Sequence, residues 1–217
     1  MLRDRVAASV KRIGLNKLEC PIFYNCPVTI RLEIGNPNGK PYRKGKLNDA
    51  YVRPALQRVL TVYQNASCTF DTLLWTTFYP YSDEITEKKL LGRFCEITKL
   101  PLPQERYLEV TEPNNEQEWP EKKVWYYWDI KSYSANIERL FEEILKADTR
   151  GFRELTSSVF LLDTDLNVLF YLYDDRGLDV AAESYDTIAP LYKKYGDWIL
   201  ENISGITNDL VPDDCVN

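Results

Sequence analysis

The 217 residues, 44% of them hydrophobic and 28% charged, are enough to bury one sizeable core beneath an ordinary soluble surface. A net charge of −6 leaves no basic stripe able to displace counterions from phosphates, so nucleic acid is not an expected partner. The chain has no histidine, which excludes Ser-His-Asp and Cys-His mechanisms and removes the commonest transition-metal ligand.

Along the chain, Leu2, Val6, Val10 and Ile13 recur at helical spacing and predict an N-terminal helix over about 2–13. This N-terminus lacks the continuous apolar run of a signal peptide, and no later stretch approaches the roughly 18 apolar residues of a membrane span. A cytoplasmic location without membrane contact is therefore expected. Pro21 and Pro27 bracket an irregular segment. Thr29 to Ile34 alternates with period two and reads as a strand. Residues 35–45, rich in Gly, Pro and Asn, read as a loop, and the short basic cluster Arg43, Lys44 and Lys46 sits at its end. Asn48 or Asp49 caps a helix reaching about Asn65, with Pro54 in its first turns. Thr72 to Tyr81 is a β-branched and aromatic run, hence a buried strand. A short helix is expected over Glu84 to Lys99.

Residues 101–121 carry Pro101, Pro103, Pro113 and Pro120 and read as an irregular surface insertion within one domain, interrupted by a short strand at Tyr107–Val110. Val124 to Ile130 is a strand. Ser134 then caps a helix whose stripe is Ile137, Leu140, Phe141, Ile144 and Leu145. Ser158–Asp163 and Val168–Tyr173 form a hairpin about a polar turn. A last helix spans about Tyr185 to Ile203, with Pro190 near its start, and residues 207–217 form a frayed tail. The order β-α-β-α-β-β-α-β-β-α, with a late hairpin, predicts a single α+β domain over 1–217: a mixed, largely antiparallel sheet with helices packed on it.

Chemistry is sparse. Cys20, Cys26, Cys68, Cys95 and Cys215 are irregularly spaced and form no C-x-x-C pair, so neither a disulfide framework nor a metal site is predicted. No cofactor and no catalytic residue is expected. The densest polar cluster is Asp174, Asp175, Arg176 and Asp179. Gly177 can turn the chain there, and Arg176 can pair with Asp174 or Asp179 to hold the turn. The same cluster could present a binding loop, or a carboxylate pair for acid–base or metal chemistry. Asp163, Asp165 and Asn167 mimic the start of a calcium loop but lack its Gly and bidentate Glu, which leaves a turn. The acidic run Glu112, Glu116, Glu118 and Glu121 surrounds Trp119, either as a solvated face or as an anchor offered to a basic partner. The 15 Tyr and 5 Trp fit either a half-buried core rim or an interface.

The segment Tyr173-Asp174-Asp175-Arg176-Gly177-Leu178-Asp179, followed by a helix from Leu191 to Ile199 containing Tyr195 and Trp198, resembles a bacterial family marked by YDDRG-x-D and Y-x-x-W-[IL] (domain of unknown function 3885). Ile30 to Gly35 and a helix containing Arg58 resemble its start, while 101–121 departs from it. The resemblance spans about 28–203 and implies no reaction. It implies occurrence beside toxins, and so an immunity protein that binds a toxin directly. The expected contacts are then Asp174, Asp175, Arg176 and Asp179, with Glu116, Glu118 and Trp119. A carboxylate-dependent enzyme and a homodimeric interaction module remain as alternatives.

Overall fold

The computed structural model describes residues 1–35, 39–40, 42–43, 46–66, 68–78, 84–111, 120–149 and 151–199. In chain order these form α1 (Leu2–Arg12), α2 (Ile22–Asn25), β1 (Thr29–Glu33), β2 (Tyr42–Arg43), β3 (Lys46–Leu47), α3 (Asp49–Gln64), β4 (Thr72–Phe78) and α4 (Glu84–Thr98). There follow β5 (Glu105–Thr111), β6 (Glu121–Asp129), α5 (Ile137–Leu145), β7 (Val159–Asp163), β8 (Val168–Leu172), β9 (Gly177–Ala182) and α6 (Tyr185–Lys194). Seven strands make one sheet in the order β1-β9-β8-β7-β4-β6-β5. Every pairing in it is antiparallel, so the expected mixed sheet resolves to a wholly antiparallel one.

Period-two alternation sorts the strand residues onto two faces, and both are covered. On one face Leu32, Trp75, Trp128, Leu161, Phe170 and Val180 pack with the apolar stripes of α3, α4, α5 and α6. On the other, Leu74, Tyr127, Phe160, Leu169 and Ala181 pack beneath α1 and the segment leading into α2. Double coverage explains why β7, β8 and β9 are buried at every residue and read as apolar runs. No helix among the described residues is long and apolar enough to cross a membrane.

Local chemistry sets the helix starts. The Asn48 side chain accepts from Ala50 N–H at 3.2 Å to open α3. Asn136, not the expected Ser134, accepts from Arg139 N–H at 3.1 Å to open α5. Ser184 caps α6, so that helix begins ahead of Pro190 and tolerates it in the second turn. It stops at Lys194, short of the expected Ile203. A 3-10 turn follows over Gly196–Trp198, and Ile199 bridges back to Leu32 of β1.

Three other expectations change. The 101–121 stretch is not an irregular insertion where described: β5 pairs with β6 from Glu105↔Tyr127 to Thr111↔Glu121. The residues between them, 112–119, lie outside the described set, as does the tail 207–217. The loop expected at 35–45 contains β2, which pairs with β3 just beyond it. The segment after the late hairpin is a full strand, β9, between β1 and β8.

One partly exposed junction joins the sheet to α4. Glu87 accepts from the Tyr126 hydroxyl and from Arg106 Nε, both at 2.6 Å. The Arg106 hydrogen bond, against burial and with help from Tyr126, holds the Glu87 carboxyl below its ordinary value of 4.5. A carboxyl lowered in the folded state stabilises the fold above its unfolded pKa, and that contribution is lost as pH falls through the folded value. Glu87→Ala also strips the acceptor from a tyrosine that is 1% exposed. The expected loss is about 1–3 kcal/mol in urea unfolding at neutral pH, shrinking in acid. A loss that stays constant down to strongly acidic pH would show that the carboxylate is not the cause.

Candidate functional site

The hairpin between β8 and β9 is Tyr173-Asp174-Asp175-Arg176, and its charges are organised by the chain itself. Asp174 Oδ1 accepts from the Arg176 backbone N–H at 2.8 Å, the hydrogen bond of an Asx turn. Its Oδ2 accepts from Arg176 Nε and Nη2 at 2.9 and 2.5 Å. Asp174 is thereby buried, while the Arg176 side chain stays 77% exposed at the rim. Gly177 must be glycine. An added Cβ would lie 2.9 Å from the Leu32 carbonyl oxygen and closer still to the Tyr173 hydroxyl.

Asp175 faces the helical layer. It is half-buried and hydrogen-bonded by the Tyr51 hydroxyl. Burial raises its pKa, with the Asp174 charge adding and the Tyr51 hydrogen bond opposing. Burial and the Asp175 hydrogen bond in turn push the Tyr51 phenol up to about 12.

Asp179 does not belong to this turn. It sits in β9 with its side chain fully buried against the thin N-terminal layer. There it accepts from Arg31 Nε and Nη2 at 2.7 and 2.8 Å and from Phe23 N–H at 3.2 Å. The expected alternative, Arg176 pairing with Asp179, is not what forms. Arg31 stands directly opposite Asp179 in the β1–β9 register, and Arg176 is spent on Asp174. Burial raises the Asp179 carboxyl, opposed by the Arg31 fork and the Phe23 N–H. The fork geometry is that of an ionised, charge-assisted pair.

Arg31 was not singled out from the sequence. Its signal was present, since it lies at the outward phase of an alternating strand, between Ile30 and Leu32. Its guanidinium lies 4.9, 5.3 and 5.0 Å from the ring centroids of Phe23, Tyr24 and Tyr173. Such contacts stabilise a cation beyond its ion pair. Tyr24 is 60% exposed, so this aromatic cage reaches the surface.

The segments that carried the family resemblance meet at this end of the sheet. Arg58 of α3 lies over the Trp198 ring at 5.1 Å and donates to the Glu33 and Gly35 carbonyls at 3.4 and 3.5 Å. Trp198 stacks on Tyr195 at 4.8 Å. Gly35 in turn donates to the Arg176 carbonyl at 3.3 Å, tying the start of the fold to the turn. The other expected contacts, Glu116, Glu118 and Trp119, lie outside the described residues.

A second carboxylate group lies elsewhere, with oxygens of Asp71, Asp163 and Asp165 within 4.8 Å of one another. Asp163 accepts from the backbone N–H groups of Thr69, Asp165 and Leu166, which makes the expected turn. Lys131 Nζ stands 3.5 Å from Asp71 and 3.1 Å from Asp165, supplying positive charge to the group.

The chain is 44% identical over 43 residues to the uncharacterized protein YnaE of Bacillus subtilis (strain 168). The match covers 20% of each chain, so it spans about a fifth of that relative. No solved structure matches the chain at a significant level. The domain of unknown function DUF3885 matches residues 10–202, nearly the whole length and including both motifs, and the chain belongs to that family.

Proposed function

We propose that this chain is a cytoplasmic binding protein, an immunity protein that neutralises a basic bacterial toxin by direct contact at the Tyr173–Asp179 end of the sheet. The observation that carries the reading is Arg31 caged by Phe23, Tyr24 and Tyr173 and locked to Asp179, beside the Asp174–Arg176 clamp. Tyr and Arg dominate interface energetics, and side chains already immobilised lose little entropy when a partner arrives. The net charge of −6 favours a basic partner and speeds its approach. The family resemblance points to a toxin as the partner, and the net negative charge calls for a basic one.

The test is capture from the native lysate at low and then high salt. One dominant basic partner, weakened by salt and inhibited when bound, is the expected outcome; no partner at either salt would remove the proposal. Arg176→Ala, at an exposed position, should change folding stability by no more than about 1 kcal/mol. It should nevertheless weaken the complex about ten-fold or more. Unchanged affinity would move the contact surface away from the turn.

One observation favours a second reading. Asp175, half-buried, raised in pKa and bonded to Tyr51, has the environment of a general acid or base. Asp175→Asn separates the two readings: it abolishes turnover if the carboxyl is catalytic and leaves partner inhibition intact if it is structural.

A further inference from the structure

We propose that the groove between α1 and the β5–β6 border of the sheet binds a small carboxylic acid with an apolar or aromatic body. The cavity measures about 250 Å³ and lies at the opposite end of the sheet from Arg31. Its wall and floor are apolar: Val6 and Val10 of α1, Leu74 of β4, and Trp125 and Tyr127 of β6. Such a lining with a few fixed polar groups is the ordinary make-up of a ligand pocket. The volume falls just below the usual range of roughly 300–1,000 Å³, which suits one ring or a short aliphatic chain.

The polar groups of the groove select an anion. Arg3, Lys17 and Lys123 line it together with Glu19, Glu109 and Glu121. Lys17 pairs with Glu19, and Lys123 pairs with Glu121 at 3.4 Å. Glu109 accepts from Trp125 Nε1 at 2.6 Å. Glu105, beside the groove, accepts from the backbone N–H groups of Leu2 and Arg3. The Arg3 guanidinium is left with no carboxylate partner among the described residues. It lies 3.8 Å over the Tyr107 ring, a contact made by its face. Its N–H donors lie in the plane and can take a carboxylate bidentately. Tyr127 supplies a second donor. It is 6% exposed, and its hydroxyl makes no hydrogen bond among the described residues yet is not sealed from solvent. Burial pushes this phenol up to about 12, with the Arg3 charge opposing, so it is protonated at neutral pH and donates. A carboxylate gives both groups the acceptor they lack, whereas an amine would meet the Arg3 charge and a hydrocarbon would leave both unpaired.

The test is calorimetric titration of the full chain with phenylacetate and hexanoate, and with the uncharged analogue phenylacetamide. At least one of the two acids should bind one to one with a Kd of about 1 mM or below, ordinary for a ligand of about ten non-hydrogen atoms. Phenylacetamide should bind about ten-fold or more weakly than phenylacetate, because it offers no charge to Arg3. Arg3→Met should weaken the bound acid about ten-fold or more, and Tyr127→Phe about five-fold. Arg12→Met, on α1 but outside the groove, should leave affinity unchanged. Absence of binding by both acids at about 10 mM overturns the proposal, as does equal affinity for the amide. Affinity unchanged by Arg3→Met, or by Tyr127→Phe, overturns it as well. Tyr127→Phe removes only a hydroxyl without a partner and keeps the ring in place, so it decides the matter should Arg3→Met fail to fold.

Discussion

Replacing Asp179 with alanine is expected to lower folding stability by about 3–5 kcal/mol, the range for removing one partner of a buried ion pair. The side chain of Asp179 is 0% exposed and that of Arg31 only 13%, so the surviving guanidinium cannot recover its hydration without opening the β1–β9 border. The Phe23 N–H loses its acceptor in the same step. Equilibrium urea unfolding, read as a fall in midpoint at constant slope, measures the cost. The control is the double replacement Arg31→Met with Asp179→Leu. Removing both charges together should restore most of the loss, because the penalty lies in the unpaired charge. If Asp179→Ala costs less than about 1 kcal/mol, water reaches the pair and it does not organise the site. The single variant should also weaken partner capture, since the caged Arg31 is the proposed anchor.

Trp75→Ala is expected to cost a similar about 3–5 kcal/mol by a different mechanism, the cavity left by a fully buried indole. Trp75 is 0% exposed and lies at 4.6 Å from Phe94 in a stacked arrangement, with Tyr126 at 5.3 Å and Phe152 at 5.7 Å. These rings come from β4, α4, β6 and the segment after α5, so the hole cannot be closed by moving one element. The indole N–H also donates to the Glu154 carbonyl at 3.0 Å. Trp75→Phe keeps most of the stack but loses that bond, and should cost about 1–3 kcal/mol less than the alanine variant. Equal losses for the two would show that the hydrogen bond, not the packing, is what Trp75 contributes. Because this stack lies on the helical face, away from Arg31, Trp75→Ala should leave affinity per folded molecule unchanged.

The amino-acid pattern alone determined much of the local structure. Alternation in Thr29–Ile34 and the apolar run at Val124–Ile130 marked β1 and β6, and the 3.6-residue stripe at Ile137–Leu145 marked α5. Asp163 to Asn167 read correctly as a turn, because Asx chemistry acts over two or three residues. The pairing of Asp174 with Arg176 was among the options for the same reason. What it did not mark were the features set by distant partners. Of β5 only Tyr107–Val110 read as a short strand, because an edge strand need not bury either face and the flanking Pro101, Pro103 and Pro113 resemble a loop. β9 looked like the tail of a charged motif, since Asp179 interrupts its apolar run; only β1, with Arg31 directly opposite, makes that carboxylate tolerable in the sheet. Arg31 and Asp179 are 148 residues apart in sequence. Periodicity reports how a segment repeats along itself, whereas strand order decides which segments become neighbours. That order is a property of the packed sheet, and it leaves Asp175 toward Tyr51 on the helical side while Tyr173 and Asp179 both meet Arg31 on the N-terminal side.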